Sequence, residues 1–494
     1  MISEWLIIVY KIRSYVYFMV TAMSPALPTP RPSRALLAVL LTGNFVTILD
    51  LFIVNVALAD MGRALAANEV QLQLVVVAYA LAYGLSLING ARLGDLYGRA
   101  RLFLIGMTLF TLASGLCGLA ATPWQLIAAR ALQGLGAGLL MPQVLASLRV
   151  LFDGAARQRA FATMGAVQGV AACISQLLGG VLIACNPLGW GWRWVFLINL
   201  PIGITVVLLG WRRLPAMRTP SPSRLDLYGA VSGTLGLAMI LLPLMEGRAQ
   251  GWPWWSLLAP ILAVLVLAHF VHYQRALACR GGNPVLDIRL FANRHFAAGA
   301  LGIFCLYSAI SSFFFSLTLL LQRGLGLTPL TAGLVFTPTA LAFFAGSQLS
   351  PRLAARYGRY ALVGGMALFG SGLALSAVTA AFQPHNLVLL MLSLVFNGSG
   401  QGLAIPLAFN GVLGAIDERN AGIASGVLGT VQVIGTSTGV AVVGALLFAA
   451  LSASPTATGV DGALLYGHAL AQATVCNVIA ALAGLLAFAF ASRR

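Results

Sequence analysis

ALLAVLLTGNFVTILDLFIVNVALA, residues 35–59, carries a single charge, Asp50, and is bounded by Arg34 and Asp60. At about 1.5 Å per residue, a helix over this stretch crosses a bilayer with some tilt. It places a carboxylate in the hydrocarbon zone, at a cost of roughly 2.5 to 3.5 kcal/mol on insertion scales. Such a group needs a cavity, a partner or a proton, which makes Asp50 a functional candidate.

The rest of the chain is of the same kind. Of its 494 residues 60% are hydrophobic and 8% charged, too apolar for a water-soluble core. Lipid-sized apolar runs recur throughout and Gly is abundant, so the spans are helices rather than the short alternating strands of a barrel. The expected fold class is an all-α polytopic membrane protein. The net charge of +17 suggests nucleic acid only until it is mapped. About 24 of the 29 basic residues fall on one side of the apolar runs, about four (Arg63, Arg193, Arg248, Arg323) on the other, and Arg130 inside. The bias predicts both termini in the cytoplasm and leaves no basic soluble face for nucleic acid. The cysteines are scattered without CxxC, and His269 and His272 form a lone pair, so no metal site, disulfide or cofactor is expected. Residues 1–22 are apolar but broken by Lys11 and Arg13; they read as a peripheral or untranslated extension, with Met23 a plausible start, or as an interfacial helix.

Charge clusters and Pro/Gly turns divide the chain into about fourteen spans, near 35–59, 71–91, 102–121, 125–148, 160–185, 192–211, 226–245, 254–274, 296–321, 330–350, 360–381, 386–410, 421–450 and 468–490. The chain also repeats itself. RLGDLYGR at 92–99 recurs as RLAARYGR at 352–359, and GLGAGLLMP at 134–142 as GSGQGLAIP at 398–406, offsets of 260 and 264. At the second offset Asp153 matches Asp417 and Val167-Gln168 matches Val431-Gln432. Two parallel six-helix bundles, 35–211 and 295–494, are therefore expected, with a linker and two extra helices at 212–294 and a cytoplasmic extension at 1–34. Parallel halves predict a carrier with its binding site between them.

Four motifs resemble those of the major facilitator superfamily, and specifically its fourteen-helix drug:proton antiporter family. ARLGDLYGRAR, 91–101, is similar to the superfamily's cytoplasmic signature loop, with Arg92, Asp95, Gly98, Arg99 and Arg101 as gate residues; Ala91 and Leu96 depart from its usual Gly and Arg. LDLFIVNVALA, 49–59, resembles the family's first-helix pattern at Asp50 and Asn55 but departs at Phe52 and Ala59. Asn55 lies about 140° around the helix from Asp50, so Asp50 is expected to face the cavity and Asn55 to make an interhelical hydrogen bond. RALQGLGAGLLMPQ, 130–143, is similar to the proton-coupling motif: Arg130 sits in the span, and Gln133, Gly134 and Gly138 are structural candidates. AACISQLLGG, 171–180, keeps Gly179 and Gly180 of the antiporter motif but has Ser175 and Gln176 where Gly and Pro are usual, which removes the expected proline kink. GWRWVFLINLPIG, 191–203, and NPVLDIRLFANRHF, 283–296, also match, and the resemblance covers 35–490.

The resemblance implies proton-driven efflux of lipophilic drugs or amphiphiles by alternating access, with Asp50 and Arg130 coupling the proton, in the inner membrane of a bacterium and as a monomer. A dedicated exporter of one metabolite or antibiotic is the alternative; a non-transporting sensor is disfavoured by retention of both charges. With one deep carboxylate, a monovalent cation, neutral amphiphile or zwitterion is a better substrate than a dication. Phe313, Phe314, Phe315, Phe343 and Phe344 are candidate cavity residues, at least half of them expected to face lipid. No nucleophile-base pair or phosphate loop points to an enzyme.

Overall fold

The computed structural model describes residues 34–152, 154–215, 226–247, 250–282, 284–416, 421–452 and 460–491. The extension 1–22 with Met23, Asp153, Arg248, Asp417 and Glu418 lie outside the described residues. Among those described there is helix and no strand. The helices are α1 Arg34–Ala64, α2 Glu69–Tyr97, α3 Arg99–Leu119, α4 Pro123–Leu151, α5 Gly154–Cys185, α6 Gly191–Arg213, α7 Leu227–Glu246 and α8 Trp254–Cys279. They continue with α9 Arg294–Leu319, α10 Pro329–Tyr357, α11 Arg359–Phe382, α12 Leu387–Leu413, α13 Ala421–Ser452 and α14 Val460–Ala491. Twelve of them are long and apolar enough to cross a bilayer, and α2 and α5 each qualify as a bent pair. Asp461 sits in the first turn of α14.

The internal repeat reaches the level of single hydrogen bonds. Asn68 caps α2, accepting from Gln71 N at 2.8 Å, and Thr328 caps α10, accepting from Thr331 N at 3.3 Å, again 260 residues on. Thr122 caps α4 and Asn386 caps α12, 264 apart, with Pro142 and Pro406 inside the two helices at the same offset. Gly98 and Gly358 turn the chain between consecutive helices at φ 97° and 56°, a left-handed region that a side chain disfavours. Each cap stabilises its helix by about 1 kcal/mol, so the repeat preserves where helices begin as well as what they bury.

Packing repeats too. α4 crosses α2 at Gly134 and Gly138 and crosses α3 at Gly136; α12 crosses α10 at Gly398 and Gly402 and α11 at Gly400. A side chain at any of these would run into backbone or side-chain atoms of the neighbouring helix. α1 packs on α5 and α6, as α9 packs on α13 and α14. The two sets of six meet along α5 against α10 and α2 against α13. α7 and α8 form a hairpin whose first helix touches both α2 and α13. Taking the end where α1 begins and α14 finishes as the near end, the far end is shut. There Gln322, on a π-turn Leu320–Gly324 that continues α9, donates to the Val56 carbonyl of α1 at 2.7 Å, and Gly180 packs on the backbone of Pro329.

Candidate functional site

Asp50 lies half-way along α1 and Arg130 early in α4, and both are fully buried. Arg130 Nη1 donates to Asp50 Oδ2, an ion pair with no solvent on either side chain. The other carboxylate oxygen accepts from Gln133 Nε2 at 2.8 Å and from Asn199 Nδ2, on α6, at 3.1 Å. Ser114 of α3 joins these donors: its Oγ accepts from Gln133 at 3.1 Å and Asn199 at 3.0 Å and donates to the Phe196 carbonyl at 2.9 Å. Arg130 Nε donates to the Val75 carbonyl of α2 at 3.1 Å, and its guanidinium lies 4.2 Å from the Tyr79 ring centroid. Tyr79 is fixed in turn by donating to the Thr47 carbonyl at 3.1 Å. Five helices thus converge on one ion pair, as a buried charge pair requires if its remaining lone pairs and protons are to be satisfied. Arg130 Nη2 remains without a partner in this shell.

Asp50 was expected on the wall of a cavity between the halves. It points instead into the interior of the first six helices, because Arg130, Gln133 and Asn199 all lie on that side. Gln133, expected as a packing residue, is a direct ligand of the carboxylate. Asn55 is buried, and its Oδ1 makes no hydrogen bond. Gly179 packs against Ile53 and Val56 of α1, while Gly180 packs across the seam on α10. Ser175 and Gln176 do not straighten α5: its parts Thr163–Ala172 and Ile174–Cys185 meet at 44°, and Ser175 Oγ donates to the Ala172 carbonyl at 2.7 Å, an intrahelical bond of the kind that bends helices. Gln176 donates to the Phe52 carbonyl at 3.1 Å.

The gate motif is a helix corner rather than an extended loop. Asp95 lies in the last turn of α2, Gly98 turns, and Arg99 opens α3, reaching back to Asp95 at 3.0 Å and across to the Ala146 carbonyl of α4 at 3.3 Å. Arg101 is exposed, and Arg92 donates to the Pro284 carbonyl at 2.7 Å. Of the phenylalanines, Phe313 and Phe315 are fully buried in the helix core, facing neither lipid nor a cavity. Phe314 is partly buried at the seam, 6.4 Å from Phe52 of α1 and 5.3 Å from Phe336 of α10 between ring centroids. Phe343 approaches Gly169 of α5, and Phe344 is exposed.

The profile of the Major Facilitator Superfamily matches residues 40–440 and, in a second overlapping alignment, 299–493. The chain belongs to the major facilitator superfamily. A relative named as a probable actinorhodin transporter, from Streptomyces coelicolor, is 36% identical over 87% of this chain and 75% of its own length. The multidrug resistance protein Stp of Mycobacterium tuberculosis is 33% identical over 83% and 75%, and the puromycin resistance protein pur8 of Streptomyces alboniger 34% over 85% and 82%. Among solved structures, a bacterial homologue of the human lysosomal transporter Spinster, in an inward-facing and unoccupied conformation, superimposes with a TM-score of 0.65 at 18% identity, over 94% of this chain and 97% of that one. This superfamily member is a multi-pass membrane protein and a transporter, not an enzyme, with relatives named for drug and antibiotic resistance and export.

Within the superfamily fold, the sequence revealed the two charged residues of the site but not Ser114 or Asn199. Neutral polar side chains are common in membrane helices, and only the meeting of α3, α4 and α6 singles these out. Asp226, the residue before α7, is also buried, and at the edge of an apolar run its charge is not conspicuous in the sequence.

Proposed function

We propose that this chain is a proton-driven exporter of lipophilic compounds, working by alternating access as a monomer in a bacterial inner membrane, with both termini cytoplasmic. The sealed Asp50–Arg130 pair carries the proposal: one carboxylate and one guanidinium, fully desolvated, on different helices of one half. Protonating Asp50 removes the negative charge that holds Arg130, Gln133 and Asn199 around it. Arg130 then turns to other acceptors, and α1 and α4 are free to shift relative to each other. Deprotonation restores the pair. Because the pair is sealed, proton exchange requires the helices to part, which ties the protonation state to the conformation.

The halves 35–211 and 295–494 are proposed to rock about the α5–α10 and α2–α13 seams, linked by 212–294. In the state described here, closed at the far end, Gln322 and Gly180 hold the halves together. Phe52, Phe314 and Phe336 bring three aromatic rings together at the seam near α1, which supports a lipophilic substrate. The names of the relatives support drug efflux; that of the actinorhodin transporter also supports a narrower export of one metabolite. Inverted membrane vesicles with an imposed pH gradient test the reading. Accumulation of several unrelated lipophilic compounds, abolished by collapsing the gradient, is the expected result; accumulation of one compound class alone favours the narrower exporter, and none at all refutes export.

A further inference from the structure

Asp226 stands apart from the ion pair, yet it is 3% exposed and fully engaged. Its Oδ1 accepts from Gly229 N at 2.7 Å, and its Oδ2 from Gln274 Nε2 of α8 at 2.7 Å and from Val285 N, in the α8–α9 connection, at 3.1 Å. Gln274 completes the ring by accepting from Leu286 N at 3.1 Å. Gly229 has no side chain, which is what lets Asp226 and Gln274 meet over it. The ring is fastened to α2 at two points. Asn89 Nδ2 donates to the Asp226 carbonyl at 3.3 Å, and Arg92, one turn along, donates to the Pro284 carbonyl at 2.7 Å. Arg92 also lies within electrostatic reach of Asp226. Arg92 belongs to the gate segment, and α7 touches α13 of the other half as well as α2. The polar attachments described here run to α2.

We propose that Asp226 is a positioning residue whose clasp fastens the inserted hairpin α7–α8 and the segment 284–286 to the gate end of α2, so that the hairpin travels with the first half while α7 slides over α13. This rests on the alternating-access reading. A hairpin riding on one half keeps the α2–α13 seam covered while leaving it free to move. It also makes the connection into α9 respond to the gate. Replacing Asp226 by Asn sets an NH₂ group against a donor whichever way the amide turns, Gly229 N in one orientation and Gln274 and Val285 in the other, so the ring is weakened without a large change in volume.

The test uses the full chain in a cysteine-free background, spin-labelled at Tyr97 and Arg280 for the clasp, and at Arg280 and Tyr360 for the slide. In the parent, the Tyr97–Arg280 distance stays narrow and constant with or without substrate and across pH, while Arg280–Tyr360 changes. In Asp226→Asn, and in the milder Gln274→Leu, the Tyr97–Arg280 distribution broadens and the transport rate falls about tenfold at unchanged substrate affinity. Parent-like distances in folded Gln274→Leu, or a Tyr97–Arg280 distance that moves with the cycle in the parent, overturn the clasp. Since the distances are read without transport, they judge the clasp even if the compounds tested are not exported.

Discussion

Two charges in the interior of the first half are sustained by three neutral side chains, and each can be removed singly. Arg130→Met leaves the Asp50 carboxylate with Gln133 and Asn199 alone, and the loss is expected to reach about 3 to 5 kcal/mol, the usual result of stripping a buried charge of its partner. Thermal unfolding in detergent measures it. The double variant Asp50→Asn/Arg130→Met recovers much of that stability but no proton-coupled transport, which separates the structural from the coupling role. Asn199→Leu removes donors at 3.1 Å from Asp50 and 3.0 Å from Ser114 and is expected to cost about 1 to 3 kcal/mol, with a shifted pH profile of transport. At this scale the sequence disclosed Asp50 and Arg130 because a charge in an apolar run is conspicuous. It did not disclose Ser114 and Asn199, whose chemistry becomes unusual only when α3 and α6 bring them to one carboxylate.

Helices in this fold are placed by their glycines and caps. Gly136 meets the Phe110 backbone and Gly400 the Phe369 backbone, so Gly136→Leu and Gly400→Leu are both expected to abolish monodisperse protein in size-exclusion chromatography. Gly364, in α11, has open space where a side chain would go, and Gly364→Ala is expected to leave yield and stability unchanged or improve stability by about 0.4 to 1 kcal/mol. Span positions were legible from hydropathy and turn residues to within a few residues for most helices. The bend of α5 was not, since it was sought in a missing proline while the Ser175 hydroxyl bonds within the helix. Nor was the register of the gate, where Asp95 and Arg99 are read as a loop until Gly98 is seen to join two continuous helices.

Among the described residues, twelve of the fourteen helices follow one six-helix plan used twice, with the hairpin α7–α8 between the two uses. The offsets of 260 and 264 announced the duplication, and the caps, turns and glycine crossings all obey it. What the offsets could not show is how the halves and the inserted hairpin contact one another, because those contacts join residues with no common periodicity. Gln322 is the clearest case, a side chain on a π-turn that reaches the other half. Gln322→Leu is expected to weaken far-end closure by about 0.5 to 1.5 kcal/mol and to enrich the far-open state about two- to tenfold. Spin labels at Leu188 and His385, exposed at the far ends of the two halves, read that shift. Unchanged populations assign the far-end closure to the glycine contacts instead.

The central claim, that Asp50 paired with Arg130 is the proton site, is tested most directly by proton release from purified protein in weakly buffered detergent, followed with a pH indicator as a transported compound is added. The parent protein is expected to release protons on binding, and Asp50→Asn to bind the compound and release none. Proton release of parental size from Asp50→Asn would contradict the assignment.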